Sequence, residues 1–277
     1  MTIATLTDVL QPAMTNGYAV GGLVVLGWED ALAYVAAAEE TSLPVILQAG
    51  PGCRAHTPLP VLGTMFRYLA EQATVPVVCH LDHGYTPDEC TAAIDCGFTS
   101  VMFDGSKLPL SENIDKTAAI AETAHAAGVS LEGEVGYVGY ADGPSSAGTT
   151  PEEAARFDRE SGADAMAISI GNVHLQTEKT DGIDFAALRK IEAVTRLPLV
   201  LHGGSGIATS MRRKLASESR VSKFNIGTEL RMAFGTALRA TLADNPEIFD
   251  RVALLSPTIA PVKDVAKQVL SGFGPSA

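Results

Sequence analysis

The chain has 277 residues, 46% of them hydrophobic and 19% charged, with 26 glycines and 15 prolines, which excludes a disordered or fibrous polymer. Its 20 basic and 32 acidic residues leave a net charge of -12, so there is no basic footprint for a generic nucleic-acid binder. A phosphorylated small molecule stays compatible, because one anion can be held locally by backbone N–H groups. Cys53, Cys79, Cys90 and Cys96 form no CxxC pair and read as buried thiols of a reducing compartment. The N-terminus lacks a basic region followed by a long apolar run, and no stretch reaches membrane-spanning length. The expectation is a cytoplasmic protein with no membrane and no nucleic-acid partner.

Short apolar runs and helical patterns alternate along the chain, punctuated by Gly and Pro. In order, the extended segments are Gly21–Val25, Pro44–Gln48, Pro76–Leu81, Ser100–Phe103, Val129–Val135, Ala165–Ile170, Pro198–His202 and Lys223–Ile226. The intervening helical patterns are Trp28–Glu40, Leu62–Gln72, Thr86–Asp95, Leu110–Ala127, Pro151–Ser161, Phe185–Val194 and Ala208–Glu218. The runs are mostly continuous apolar segments, as for strands covered on both faces, and their number predicts a closed (β/α)8 barrel. No GxGxxG opens a helix after the first run, which argues against a dinucleotide-binding sheet. The first strand is the least regular, because Gly21-Gly22 lowers strand propensity. Helical patterns follow at Glu229–Leu242 and Val262–Leu270. Residues 1–277 thus read as one barrel domain with a C-terminal helical extension from about 245, docked on the barrel or on a partner subunit.

Polar residues gather where the strands stop, which in this fold is the catalytic face. Asp82 and His83 close one strand, Asp104 the next, Glu132 and Glu134 follow, then His174, His202, and finally Asn225 with Thr228. Of 6 histidines, His83, His174 and His202 fall at separate strand ends beside carboxylates. Three imidazoles with an open fourth position are how catalytic zinc is held. His80 lies further back along its strand and reads as a supporting or packing residue, His125 as a surface residue, and His56 as a loop residue without a partner. A second signal is anion binding. His202-Gly203-Gly204-Ser205-Gly206 and Asn225-Ile226-Gly227-Thr228 each run from a strand toward a helix, at the two positions where barrels often bind phosphate. Thr228 is expected to cap its helix there. The pairs Glu39-Glu40 and Glu152-Glu153, and the run Arg212-Arg213-Lys214, read as solvated helix faces.

With these residues in place, the chain resembles the zinc-dependent class II ketose-bisphosphate aldolases, the family of fructose- and tagatose-bisphosphate aldolases. The resemblance runs from Asn16–Gly21 through Ala37–Glu40 to Asn225–Arg231. It rests on H-L-D-H, S-V-M-F-D-G-S, E-G-E-V-G, H-G-G-S-G and N-I-G-T-E-L-R in this order. It implies a (β/α)8 fold and reversible cleavage of a phosphorylated ketose to dihydroxyacetone phosphate and an aldehyde. His83, His174 and His202 look like the zinc ligands, and Asp104 and Glu134 like the carboxylates of a neighbouring, alternative metal position. Asp82 resembles the acid/base at the hydroxyl of the bond being broken, and Asn225 the residue that steadies the enediolate. Gly203, Gly204, Ser205, Gly227 and Thr228, with backbone groups of Gly171 or Gly136, resemble the phosphate cradle. Members are usually homodimers or homotetramers, and some need a monovalent cation.

Four departures cluster around the pocket. The family's loop glutamate, which moves the C3 proton, is absent from Gly139-Tyr140-Ala141-Asp142-Gly143, leaving Asp142 as its candidate replacement. A-F-N of the first strand becomes Gly22-Leu23-Val24, and Q-x-S of the second becomes Gln48-Ala49-Gly50. Leu175 follows His174 where glycine is usual. Fructose or tagatose bisphosphate is therefore one substrate option among phosphorylated ketoses. Two alternatives stand beside the aldolase: a zinc-dependent sugar-phosphate epimerase or isomerase, which needs acid/base groups on both substrate faces, and a non-catalytic aldolase-like subunit, which has no need of an open zinc site.

Overall fold

The computed structural model describes residues 2–180 and 182–275. A two-residue strand, β1 (Ile3–Ala4), pairs parallel with the start of the fourth strand. Eight further strands follow: β2 (Val20–Val24), β3 (Val45–Ala49), β4 (Val77–Gly84), β5 (Ser100–Phe103), β6 (Ser130–Val135), β7 (Ala165–Ile168), β8 (Leu199–Leu201) and β9 (Val221–Ile226). Each pairs in parallel with its neighbours, and β2 pairs with β9 from Val20↔Lys223 to Leu23↔Ile226, which closes the ring. The fold is an eight-stranded parallel barrel surrounded by helices.

Every residue of β3, β4 and β6 is buried, the physical reason most runs read as apolar, while the polar residues of β4 and β6 are buried in the barrel interior and its mouth. One set of side chains, including Leu47, Cys79, Leu131 and Phe224, packs outward under the helices. The alternate set, Val20, Ile46, Val78, Ala165, Ala167 and Val200, fills the lower interior together with Leu6, Val9, Leu10 and Ala13. These last four belong to a helix, Leu6–Asn16, which plugs the bottom of the barrel. It starts with a capping box, the Thr5 side chain on the Asp8 N–H and the Asp8 carboxylate on the Thr5 N–H. This helix is additional to those expected from the apolar patterning.

Gly21 and Gly22 are explained by what approaches them. A Cβ on Gly21 would lie 2.8 Å from Leu270 Cδ2, and one on Gly22 would lie 1.9 Å from Gln48 Oε1. The pair therefore admits the C-terminal helix on the outside and a buried glutamine on the inside. That helix, Ile259–Phe273, packs against the helix Trp28–Thr41, and Phe273 lies over Phe224 with centroids 5.2 Å apart. Lys263 and Lys267 both grip Glu40, each at 2.5 Å. Glu40 is thus an anchor for the terminal helix as well as a surface residue. Arg212 departs from the solvated face expected of its run. It is 2% exposed and pairs with Glu229 at 2.8 Å, because a helix turns about 100° per residue and carries Arg212 and Arg213 to different sides.

Among the described residues, no helix is long and apolar enough to cross a membrane. Cys53, Cys79 and Cys90 are buried free thiols, and burial pushes Cys79 and Cys90 up to about 12, consistent with inert packing residues.

Candidate functional site

The upper ends of the strands bring the expected residues together. Asp82 and His83 are sequence neighbours and on a regular strand would face opposite sides. Here β4 shifts register against β5 between Leu81 and Gly84, and His83 takes φ +52°, so both side chains reach the mouth. Arg54, on a short helix Pro51–His56 absent from the sequence reading, braces this turn. Its guanidinium donates to the carbonyls of Ala49 at 2.7 Å, Asp82 at 2.6 Å and His83 at 2.9 Å. A lone arginine in the glycine-rich loop after the second strand was the available signal.

His83, His174 and His202 form a cluster in which one nitrogen from each lies within 4.8 Å of the others, and His83, Asp104 and Glu134 form a second. The ring centroids are 4.6 Å apart for His83–His202, 5.3 Å for His83–His174 and 5.5 Å for His174–His202. Asp104 Oδ2 is 2.8 Å from His83 Nδ1, and Glu134 Oε2 lies 3.4 Å from His202 Nδ1. Neither His202 Nδ1 nor Glu134 Oε2 has a hydrogen-bond partner, although both are buried. Unpaired buried nitrogen and carboxylate oxygen are costly on their own, and a divalent cation would satisfy both. This buried cluster of imidazoles and carboxylates is geometrically suited to a divalent metal such as zinc.

The electrostatics suit metal as well. Burial, then the His83 charge, pushes His174 down to about 4, and burial holds His202 well below the usual histidine range, so both offer neutral imidazoles. Burial and the Asp104 charge raise Glu134 to about 8. Burial opposes the charge on His83, but Asp82, Asp104 and Glu134 together raise it to about 9. In metal-free protein at neutral pH a metal must therefore displace the proton on His83, and also that on Glu134 where it takes the adjoining carboxylate position. Zinc affinity is expected to rise with pH between about 7 and 9, by about tenfold per pH unit for each proton displaced. Calorimetric titration in buffers of different ionisation enthalpy counts those protons, and a pH-independent affinity would contradict the assignment.

Asp82, 5% exposed, accepts a hydrogen bond from Asn225 Nδ2 at 3.0 Å, which joins β4 to β9 across the mouth. The open pocket above is lined by Asp82, His83, His174, Ser205, Asn225 and Thr228, among others, and by Gly203 and Gly227. Gly171 and Gly204 are not among the lining residues. Gly171, at φ +102°, turns the chain past Gly182, and Gly204 opens a short 3-10 turn to Gly206. The two glycine-bearing turns are linked by Ser205, whose Oγ accepts from the N–H of Gly227 at 3.2 Å and of Glu229 at 3.4 Å. Thr228 does not cap its helix: Gly227 is the N-cap, and Thr228 is the first helical residue with its side chain at the pocket wall. Gly203 has φ +65°, and a Cβ there would lie 2.1 Å from the Val173 carbonyl oxygen. Gly203→Ala is expected to lower stability by about 1–3 kcal/mol or more through backbone strain, read as a lower urea midpoint at unchanged m-value.

Asp142 is exposed on the turn between Tyr137 and Ala147, which pair across it, and lies outside the pocket lining. Tyr140 of the same turn does line the pocket, stacking on His174 with centroids 4.9 Å apart and planes at 27°. Tyr85 also lines the pocket, its ring centroid 6.5 Å from that of His83. Neither tyrosine was anticipated, since an aromatic in a Gly-rich loop carries no positional signal. Leu175 takes φ +59°, the left-handed conformation that glycine adopts without steric cost. His80 is buried with Nδ1 2.8 Å from Ser100 Oγ, as its place along the strand implied. His125 meets Asp164 at the surface, and His56 contacts Thr57, away from the pocket.

The pattern of the family described as fructose-bisphosphate aldolase class-II matches residues 4–276. The chain is 36% identical over 283 residues to a fructose-bisphosphate aldolase of Geobacillus stearothermophilus, covering 100% of this chain and 98% of that one. It is equally, 36%, identical over 284 residues to a 6-phospho-5-dehydro-2-deoxy-D-gluconate aldolase of Bacillus licheniformis, covering 100% and 96%. Among solved structures, the YdjI aldolase of Escherichia coli K12 superposes with a TM-score of 0.87 at 29% identity, over 99% of this chain and 98% of that one.

Proposed function

Since the chain belongs to the class II fructose-bisphosphate aldolase family, and is therefore a metal-dependent aldolase that cleaves a phosphorylated sugar, we propose which of its residues carry the reaction. His83, His174 and His202 hold zinc, with Asp104 and Glu134 offering the adjoining carboxylate position. The observation that carries this reading is that two donor clusters share His83 next to the Asp82–Asn225 pair. When bound, zinc supplies Lewis-acid polarisation of the substrate ketone. Asp82 takes the proton of the C4 hydroxyl as the C3–C4 bond breaks, releasing an aldehyde. Asn225 steadies the enediolate oxygen through its amide while keeping the Asp82 carboxylate aimed. The phosphate end is held by the N–H groups around Gly203, Gly204 and Gly227, with Ser205, Thr228 and the Gly171 turn completing the cradle. For the proton delivered to C3 we assign Asp142, the sole carboxylate of residues 137–147. Its exposure means the turn must fold inward for the step.

Dihydroxyacetone phosphate is the expected product. Relatives of equal identity are named for a ketose bisphosphate and for a monophosphorylated acid, so aldehydes of both kinds fit the family. The enzyme is proposed to be cytoplasmic and a homodimer or homotetramer. Phe249, 93% exposed, and Val252, 71% exposed, give a subunit contact something to cover. The deciding experiment offers a panel of phosphorylated ketoses and follows dihydroxyacetone phosphate release with and without chelator. Chelator-sensitive release is expected. Interconversion without release would replace the aldolase by an isomerase, and inactivity across the panel would leave a non-catalytic subunit.

A further inference from the structure

One level below the candidate metal ligands, the barrel interior carries a chain of buried polar side chains. Lys223 of β9 places Nζ 2.6 Å from Glu132 Oε2 of β6, and both side chains are 0% exposed. Nζ is also 3.4 Å from Nε2 of His80 on β4, whose Nδ1 lies 2.8 Å from Ser100 Oγ on β5. The other Glu132 oxygen, Oε1, is 3.1 Å from Nε2 of His202. Four strands thus meet in one hydrogen-bonded path that ends at a candidate metal ligand.

Stability alone gives little reason for this arrangement. Taking an ammonium and a carboxylate out of water is costly, and apolar residues of matching volume often do as well or better at such positions. The layer beneath is filled that way, by residues such as Ile46, Val78 and Val200. What the pair supplies is direction. With Oε2 occupied by the Lys223 ammonium, Oε1 is left as a pure acceptor, so the His202 nitrogen facing it must carry a proton. The lone pair of His202 is then on Nδ1, the nitrogen that has no partner and faces Glu134 across 3.4 Å. We infer that Glu132 and Lys223 form a positioning pair that fixes His202 as its Nε2-protonated tautomer and so presents Nδ1 to the divalent metal. Neither residue touches the substrate; both act through His202. His80 completes the device by accepting from Lys223 at Nε2 while donating from Nδ1 to Ser100, which keeps the ammonium turned toward Glu132.

The inference rests on the metal-dependent reading of the site, and its test uses zinc binding and tautomer state in place of turnover. In Glu132→Gln the amide oxygen is claimed by Lys223, which turns the NH2 group toward His202 Nε2 and drives the proton to Nδ1. Zinc affinity of the metal-free protein, by chelator competition, is expected to fall about 10–100-fold, the usual loss when a hydrogen-bonded partner behind a ligand is removed. Nitrogen-15 histidine spectra of the metal-free proteins should show His202 protonated at Nε2 in wild type and at Nδ1 in the variant.

The double variant Glu132→Gln with Lys223→Met separates this role from simple packing. Without the ammonium, the amide NH2 can turn to His80 Nε2, 3.7 Å from the present Oε2 position, and the oxygen can return to His202. The second substitution should therefore restore much of the zinc affinity, whereas packing damage would deepen the loss. Nδ1-protonated His202 in wild type, unchanged affinity in Glu132→Gln, or no recovery in the double variant overturns the inference while leaving the aldolase reading intact. Failure of the wild-type protein to bind zinc overturns both. The wild-type spectrum decides the matter even if a variant does not fold.

Discussion

Asp82→Asn is expected to lower kcat for ketose cleavage by about 10²–10⁴-fold, the range typical of a lost general base, with zinc content unchanged. The substitution is close to isosteric, and an asparagine oxygen still accepts from Asn225 Nδ2, now 3.0 Å from Asp82 Oδ1. The carboxylate sits outside both donor clusters, so the metal site should fill normally. What disappears is the ability to take a proton from the substrate hydroxyl. Binding should change little, so kcat and kcat/KM should fall together. A variant that turns over normally would remove Asp82 from the mechanism, and one that loses zinc would move it into the ligand set.

His174→Ala is expected to have the second large effect, a loss of zinc affinity of more than about 100-fold, since removing a direct ligand should exceed the cost of removing a group behind one. Of the three imidazoles it is the least buried, so its removal disturbs packing least. It is attached to the turn around Tyr140 by backbone bonds, Ala141 N–H to His174 O at 3.0 Å and His174 N–H to Gly139 O at 2.8 Å, which survive the substitution. Metal analysis of purified protein and chelator competition measure the loss, and cleavage should vanish in parallel. Full zinc occupancy in His174→Ala would mean that His83, Asp104 and Glu134 hold the ion by themselves.

The sequence disclosed most where burial is symmetrical. Strands covered on both faces write themselves as apolar runs, so each barrel strand was legible to within a few residues, and so were the polar residues at which the runs stop. The plug Leu6–Asn16 went unassigned although its buried residues stand at helical spacing, because Pro12 interrupts the pattern. Its signals were the Thr5 and Asp8 capping pair, the spacing of Leu6, Val9, Leu10 and Ala13, and Gly17 at its end. Arg54 and Lys223 were also invisible as functional residues. A charge in a sequence reads as solvated, and what makes these two different is the set of acceptors that other strands bring to them: three carbonyls for Arg54, a carboxylate and an imidazole for Lys223. Gly21-Gly22 looked like a weak strand, although the weakness is local space for Leu270 and Gln48. Asp142 was the one carboxylate available to a sequence reading of its turn, while three-dimensional placement brings Tyr140 to the pocket instead.

The plug also bears on how the chain is made. The helix Leu6–Asn16 is synthesised before all eight barrel strands, yet its apolar face packs against side chains as late as Ala165 and Val200. At ordinary synthesis rates that partner surface arrives about 10–40 s later. For that interval Leu6, Val9 and Leu10 have no permanent cover, and the helix is too short to be stable alone. Nascent chains stalled before β8 should therefore hold chaperone through the helix Leu6–Asn16, and chains long enough to expose β9 should release it.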